Sequence, residues 1–294
     1  MNDRRPLLVT GVPRSGTTWA ARLLATAPGT ALAGREPMNP RGRQYALGGT
    51  LTGWARLTEL TARQRRVLRS TYAGRNLRTY GRYGRHQWRG PLPWARLVVK
   101  DPFAMLSTPA IAAVTGARAL QVYRHPGAVL TSYRRMGWQP DLDEIAAFVP
   151  EAADLFPELG AAWDRGAAAL TEAERMGVFW GVLQALALID LDAAPGSLFL
   201  AHHEIAGGGL PAVAALFTEL GLASTAETER EMHDGGDAPA ATSGSRLHQL
   251  HRSPAEVAQS WRGKLDAEEI AQVESVTSRV LAAVEGRRFS LPEA

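Results

Sequence analysis

The chain of 294 residues is long enough for one large α/β domain or two small ones, and with 45% apolar and 21% charged residues its composition is not that of a disordered chain. It contains no cysteine, which excludes disulfides, thiolate metal sites and a cysteine nucleophile. The net charge is only +4, and the sequence shows neither a signal peptide nor an apolar run of membrane-spanning length, so we expect a soluble, cytoplasmic protein.

The N-terminal segment predicts a strand, a glycine loop and a helix. An apolar run at Leu7–Val9 is followed by a loop from Gly11 to Gly16, and a helix begins at Thr17. This geometry binds phosphate, because the loop N–H groups and the helix dipole both favour an anion. The glycine spacing matches the start of a Walker A motif, but Thr17 replaces its lysine and the cation lies earlier, at Arg14. We therefore expect a phosphate site that does not suit ATP, with a ligand-free turn as the alternative.

A short second strand is predicted at Ala31–Ala33, and Glu36 follows it about 20 residues after the loop. In a doubly wound sheet, the carboxyl ends of the strands line the ligand crevice. Glu36 is therefore expected to face the same site as the loop. The alternative is a glutamate in an ordinary connecting loop.

Residues 50–72 have apolar positions at helical spacing and predict a helix. A stretch rich in arginine and aromatic side chains follows over 72–89. Such a stretch can bind single-stranded nucleic acid, but it equally suits a sugar, an aromatic acceptor or an anionic polymer. We favour an acceptor-binding insert over 40–95 rather than nucleic-acid binding, and an exposed loop is the alternative.

The next predicted strand, Leu97–Val99, is followed by Lys100, Asp101 and Pro102. Lys100 is one of only two lysines in the chain. A lysine at a strand exit acts as a mobile point charge that can stabilise negative charge developing on an oxygen. The alternative is a side chain that only extends from the strand end into solvent.

A fourth feature is the segment that begins at Arg124, directly after a predicted buried strand at Ala117–Tyr123. Pro126 is well placed in the first turn of a helix, and Ser132 lies eight residues after Arg124. An arginine with a nearby hydroxyl suits a terminal phosphate. A surface salt bridge is the alternative.

The C-terminal half predicts core helices over 141–192 and a further strand at Ser197–Ala201. The cluster His202–Glu204 follows that strand, but neighbouring side chains in an extended segment point to opposite faces, so we expect no metal site. Residues 223–246 are polar and rich in small residues and predict a mobile loop, before a last helix over 266–284.

Strands and helices thus alternate along the whole chain. This alternation predicts an α/β fold with three α/β/α layers and a central parallel sheet, similar to that of the P-loop NTPases. We expect residues 1–294 to form a single domain.

Two of these motifs together resemble the sulfotransferases that use 3′-phosphoadenosine 5′-phosphosulfate (PAPS). Residues Pro13–Trp19 match the family's loop for the 5′-phosphosulfate without a gap, and Arg124, His125, Pro126 and Ser132 keep the spacing of its 3′-phosphate motif. The resemblance implies that the cofactor is held by Arg14, Ser15, Gly16, Thr17, Thr18, Trp19, Arg124 and Ser132.

The same resemblance implies roles in catalysis. Glu36 corresponds to the glutamate that serves as the base in bacterial, carbohydrate and tyrosylprotein members, and Lys100 and Arg14 lie near the transferring group. Cytosolic small-molecule members place a catalytic histidine just after the lysine, where this chain has Pro102 and Phe103. The chain is therefore closer to the subgroup with a glutamate base.

The family often closes a basic C-terminal segment over the 3′-phosphate and adenine. The residues that resemble this segment are Arg252, Trp261, Arg262 and Lys264. The Arg-Lys-Gly sequence of the cytosolic subgroup is absent, so the correspondence is looser here.

The resemblance predicts transfer of a sulfuryl group from PAPS to a hydroxyl or amine of a small-molecule or glycan acceptor, without a metal and without nucleic acid. Two alternatives stay open: a P-loop kinase for a nucleotide or small molecule, and a non-catalytic protein that binds an anion or polysaccharide on the same fold. The sequence names neither the acceptor nor an oligomeric state.

Overall fold

The computed structural model describes residues 4–33, 35–41, 47–76, 95–234, 258 and 260–291. Five strands form one sheet in the order β2-β3-β1-β4-β5, and all neighbouring strands are parallel. The strands are β1 Leu7–Thr10, β2 Thr30–Ala33, β3 Arg96–Lys100, β4 Arg118–Tyr123 and β5 Leu198–Ala201. The predicted parallel sheet is confirmed.

Helices connect the strands and cover both faces of the sheet. In chain order they are α1 Thr17–Leu24, α2 Ala62–Tyr72, α3 Thr108–Thr115, α4 Pro126–Met136, α5 Val149–Leu155, α6 Pro157–Asp164, α7 Glu172–Asp192, α8 His202–Gly207, α9 Gly209–Leu220, α10 Ala226–Asp234 and α11 Ala267–Gly286. Short 3₁₀ helices lie at Pro102–Ser107, Asp143–Phe148 and Ala167–Ala169. Across the described parts of the chain, no helix combines the length and the apolar character needed to cross a bilayer.

Alternate strand residues pack into two separate apolar cores. Leu7 and Val9 face the core that α1 and α9 complete, whereas Leu8 faces the core that contains Trp180 of α7. Because both faces are covered, the strands are buried almost throughout, as parallel strands require. The three-layer α/β/α prediction is thereby confirmed.

The predicted helical regions form, but with later starts. The helix expected over 50–72 begins only at Ala62, because Thr61 and Gln64 form a capping box there. The helical region over 141–192 is divided, since Gly166 adopts a positive φ of 80° and a second capping box at Thr171 starts α7.

Two predictions for the C-terminal half were wrong in part. Residues 226–234 of the expected loop 223–246 form α10, which docks on α1 through Thr26–Thr228 and Arg22–Glu231 contacts; residues 235–246 lie outside the described part. Residues His202, His203 and Glu204 form the first turn of α8 and are not extended. The argument from opposite faces therefore does not apply to them.

Candidate active site

The loop between β1 and α1 is held in a tight conformation at the carboxyl end of the sheet. Gly11 has φ of 143° and Gly16 has φ of 98°, and α1 begins directly afterwards. Arg14 has φ of 75°, which is unusual for a residue with a side chain and is a form of backbone strain found at binding sites. The Ser15 hydroxyl is buried and has no hydrogen-bond partner among the described residues.

We expect Gly11→Ala to destabilise the protein by about 2–4 kcal/mol, because the added methyl group would overlap the carbonyl oxygen of Val122 and φ is unfavourable. Gly29→Ala is the matched control: φ there is 75°, but nothing lies within 4 Å, so only about 1 kcal/mol is expected. Urea unfolding of both variants checks the prediction, and equal losses would contradict it.

Arg14 joins the loop to helix α4. Its Nε donates a hydrogen bond of 3.0 Å to the Ser132 hydroxyl, and its guanidinium lies 5.8 Å from the ring centre of Trp138. Ser132 is buried on α4, two turns after the strand exit at Arg124. The two motifs that the sequence assigned to different phosphates are therefore in direct contact.

Arg124 is the most buried member of a cluster of arginines. Only 8% of the residue is exposed, and Trp180 of the core helix α7 fixes its backbone by donating from Nε1 to its carbonyl at 3.0 Å. Burial, with the neighbouring charges of Arg135 and Arg14, lowers the pKa of Arg124 to about 10. Burial and Arg135 lower the pKa of Arg14 as well. Like charges this close favour an anion between them.

Glu36 and Lys100 meet at the carboxyl ends of β2 and β3. Both are buried, and the Lys100 ammonium forms an ion pair with Oε1 of Glu36. Asn39 donates from Nδ2 to the other carboxylate oxygen at 2.5 Å. A carboxylate and an ammonium are thus held together at the edge of the sheet where the loop lies.

Asp101 is a positioning residue for this pair that the sequence interpretation missed. Its fully buried carboxylate accepts hydrogen bonds from the backbone N–H of Met38 and of Phe103. It thereby ties the segment that carries Glu36 to the exit of β3. Burial, and then the nearby Glu36, raise the pKa of Asp101 well above its usual range. The sequence signal was present, since aspartate before proline is a frequent start of a helical turn.

Comparisons with known proteins identify the family. Residues 6–176, more than half of the chain, match the model of the sulfotransferase family. The chain belongs to the sulfotransferase family. A solved structure, the sulfotransferase domain from the Synechococcus PCC 7002 olefin synthase, matches over 99% of this chain and 97% of its own, with TM-score 0.52 and 17% identity. At this identity the likeness shows the fold alone. A comparison with curated proteins gives no match.

The predicted family is confirmed, while the glutamate-base subgroup stays a prediction. The remaining loop residues lie along the first turn of α1. Thr17 is buried, Thr18 and Trp19 are half-buried, and the Trp19 ring meets His202 edge-on at 5.1 Å. The described ranges contain no group of three histidine or acidic side chains that could hold a metal ion.

Of the four C-terminal residues predicted to contact the cofactor, only some lie beside the Arg124 motif. Trp261 is buried and stacks on His125, with ring centres 4.3 Å apart, directly beside Arg124. Arg262 and Lys264 are exposed on the following turn. Arg252 lies outside the described residues. A cavity of about 90 Å³ is lined by Arg124, His125, His203, Trp261 and Arg262, among others.

We expect His202 to make the stability of the folded chain depend on pH. Burial, and then the nearby Arg124 and His203, lower the pKa of His202 to about 3. Below pH 6.5 the unfolded chain binds a proton at this histidine that the folded chain does not bind, so stability falls as the pH drops. We expect a loss of about 2 kcal/mol at pH 5 relative to pH 7.5 from this group. Urea unfolding of wild type and His202→Gln at both pH values checks this, and equal pH slopes would contradict it.

Proposed function

We propose that this sulfotransferase moves a sulfuryl group from PAPS to a hydroxyl or amine and releases 3′-phosphoadenosine 5′-phosphate. The observation that carries the proposal is the hydrogen bond from Arg14 to Ser132. It makes the loop between β1 and α1 contiguous with the Arg124 motif. A donor with one anionic group at its 5′ end and another at its 3′ position fits two adjacent anion sites.

The chemistry of the residues suits such a donor. The buried Ser15 hydroxyl lacks a partner among the described residues, and an oxygen of a bound phosphate would satisfy it. The proposal assigns Arg14 and Ser15 to Trp19 to the 5′ group, and Arg124 and Ser132 to the 3′-phosphate. Trp261 and the basic residues after it would cover the nucleotide from the C-terminal side.

Bound PAPS would supply an electrophilic sulfur and a phosphate leaving group. Glu36 would accept the proton of the acceptor hydroxyl while the hydroxyl oxygen forms its bond to sulfur. The bond from sulfur to the phosphate oxygen breaks, and its electron pair leaves with that oxygen. Lys100 and Arg14 would stabilise the charge that develops there. The contact between Glu36 and Lys100 supports these roles, since it keeps base and cation at one place.

We place the acceptor at the carboxyl ends of β2 and β3, in front of Glu36. Phe103 lies there, with Trp54 4.6 Å away between ring centres and the Arg41 guanidinium 5.8 Å above its ring. Aromatic and arginine side chains at this position suit a small-molecule or glycan acceptor. Residues 77–94 of the proposed acceptor-binding insert lie outside the described part of the chain.

A thermal-shift titration with 3′-phosphoadenosine 5′-phosphate, ATP and ADP tests the proposed donor. At about 100 times its Kd, the 3′-phosphorylated nucleotide should stabilise the folded protein by about 2.7 kcal/mol. Stabilisation by that nucleotide alone supports PAPS as donor. Stabilisation by ATP with Mg²⁺ alone would favour the kinase alternative. No effect of any nucleotide would overturn the assignment of both anion sites.

A further inference from the structure

A buried histidine lies directly against the loop, and none of the roles above uses it for binding. His202 is the first residue of α8, after β5, and only 5% of it is exposed. A methyl group added to Gly16 would overlap Cδ2 of its imidazole and would lie 2.8 Å from Nε2. The ring therefore turns the edge that carries Nε2 toward the last glycine of the loop.

The surroundings of Nδ1, on the other side of the ring, determine which ring nitrogen carries the proton. Nδ1 of His202 is fully buried and has no hydrogen-bond partner in the described ranges, and the same is true of the Trp19 indole nitrogen. Both side chains line one apolar cavity of about 10 Å³. A proton on Nδ1 would place a second unsatisfied N–H donor there, which is costly. The favoured tautomer leaves Nδ1 bare and carries the proton on Nε2.

The charge around His202 keeps the ring neutral. Arg124 and His203 are the charged and titratable groups that act on it, and both oppose a positive imidazole. A neutral ring can donate one hydrogen bond from Nε2 without adding a further charge to the arginines. His202 thus has its remaining donor on the side of the loop, with the charge of Arg124 nearby.

We propose that His202 is a binding residue for the donor nucleotide, whose Nε2–H donates a hydrogen bond to an oxygen of the phosphate held by the loop between β1 and α1. This inference rests on the proposed function, because it needs a phosphorylated nucleotide at that loop. If His202 only packed against Gly16, the environment of its N–H would not change when the nucleotide binds.

The first test is NMR spectroscopy of the full-length chain labelled with ¹⁵N-histidine. Long-range proton–nitrogen correlation spectra identify the tautomer, and loss of the signal in His202→Gln assigns it. We expect protonated Nε2, bare Nδ1 and a clear shift of the Nε2–H signal when 3′-phosphoadenosine 5′-phosphate is added. The exposed His233 of α10 serves as the internal control whose signal stays in place.

The second test measures affinity for the same nucleotide by calorimetry. His202→Leu should weaken binding about tenfold, whereas His202→Gln, which retains an N–H donor near Nε2, should stay within about threefold of wild type. His233→Gln is the matched control on the surface.

The outcomes separate this inference from the proposed function. If wild type binds the nucleotide, but the Nε2–H signal does not move or Nδ1 carries the proton, only the role of His202 is wrong. If His202→Leu folds and binds as tightly as wild type, the role is wrong as well. If wild type does not bind the nucleotide at all, both the role and the proposed donor fall.

Discussion

Arg124→Gln is expected to weaken binding of 3′-phosphoadenosine 5′-phosphate about 100-fold or more, with a much smaller effect on the stability of the ligand-free protein. Truncating one partner of a buried, hydrogen-bonded charge pair costs roughly 2–5 kcal/mol. Arg124 would be such a partner in the complex, because it is buried and the proposed 3′-phosphate is its counter-charge.

The small effect on stability follows from the repulsive charges around this arginine. Arg14 and Arg135 both oppose its positive charge, and burial adds a desolvation cost, so the pKa of Arg124 lies near 10. Replacing it by a neutral side chain of similar length relieves this repulsion in the ligand-free protein. A residue kept for structural reasons would show the opposite pattern, with loss of stability and unchanged affinity.

Calorimetric titration and thermal unfolding of the same samples check this prediction. Arg134→Gln on the same helix is the control, because Arg134 is exposed and pairs with Glu172 and Glu269 instead of the cluster. Its affinity for the nucleotide should equal that of wild type. Arg124→Lys should recover part of the binding, since it restores the charge but not the bidentate geometry.

Local sequence patterns were sufficient to predict the sheet and the loop. Continuous apolar runs predicted β1 and β3, the glycine spacing predicted the turn before α1, and the eight-residue interval predicted Arg124 at a strand exit and Ser132 on the following helix. These features depend on the backbone geometry of a few neighbouring residues. A short stretch of sequence is therefore enough to predict them.

Contacts between distant segments could not be predicted in this way. Arg14 and Ser132 are 118 positions apart, and Glu36 and Lys100 are 64 positions apart. The periodicity of a helix or strand therefore cannot predict that they pair. Parallel strand order suggested a shared edge, but not that the base and the lysine would touch. Asp101 was missed for the same reason, because its partner Met38 lies in another connection.

His202 shows how a local misassignment hides a contact. An extended conformation after β5 would point His202 and His203 to opposite faces. That expectation argued against a metal site, and it also gave no reason to place either histidine near the loop. The chain instead turns into α8 at that point, and the turn directs His202 under Gly16. The sequence does not mark the start of this helix, because no side chain caps it.

Glu36→Gln is expected to reduce sulfuryl transfer by about 10²–10⁴-fold while leaving the nucleotide affinity within about threefold of wild type. The amide is nearly isosteric and its one oxygen can still accept from Lys100, so the local structure should largely persist although the hydrogen bond from Asn39 is lost. It cannot accept a proton from the acceptor. The loss should therefore fall on the chemical step and spare binding.

Water is a hydroxyl acceptor that needs no prior identification of the natural one. Release of radiolabelled sulfate from PAPS into water, and transfer to a phenol and to a simple sugar alcohol, can be compared between wild type and variant. Glu172→Gln is the control, because it removes a carboxylate that pairs with Arg134 and not with a residue of the proposed acceptor site. It should retain the wild-type rate.

The results distinguish a base from a structural partner of Lys100. If Glu36 only holds Lys100, Glu36→Gln should keep most of the activity, and Lys100→Met alone should abolish it. If Glu36 is the base, both variants lose activity, but only the lysine variant also loses the charge that stabilises the leaving phosphate. A wild type that binds the nucleotide yet transfers sulfate to none of the acceptors would favour the non-catalytic alternative. The two buried charges are in contact, so their separate removal is the experiment that assigns the chemistry to one or to both.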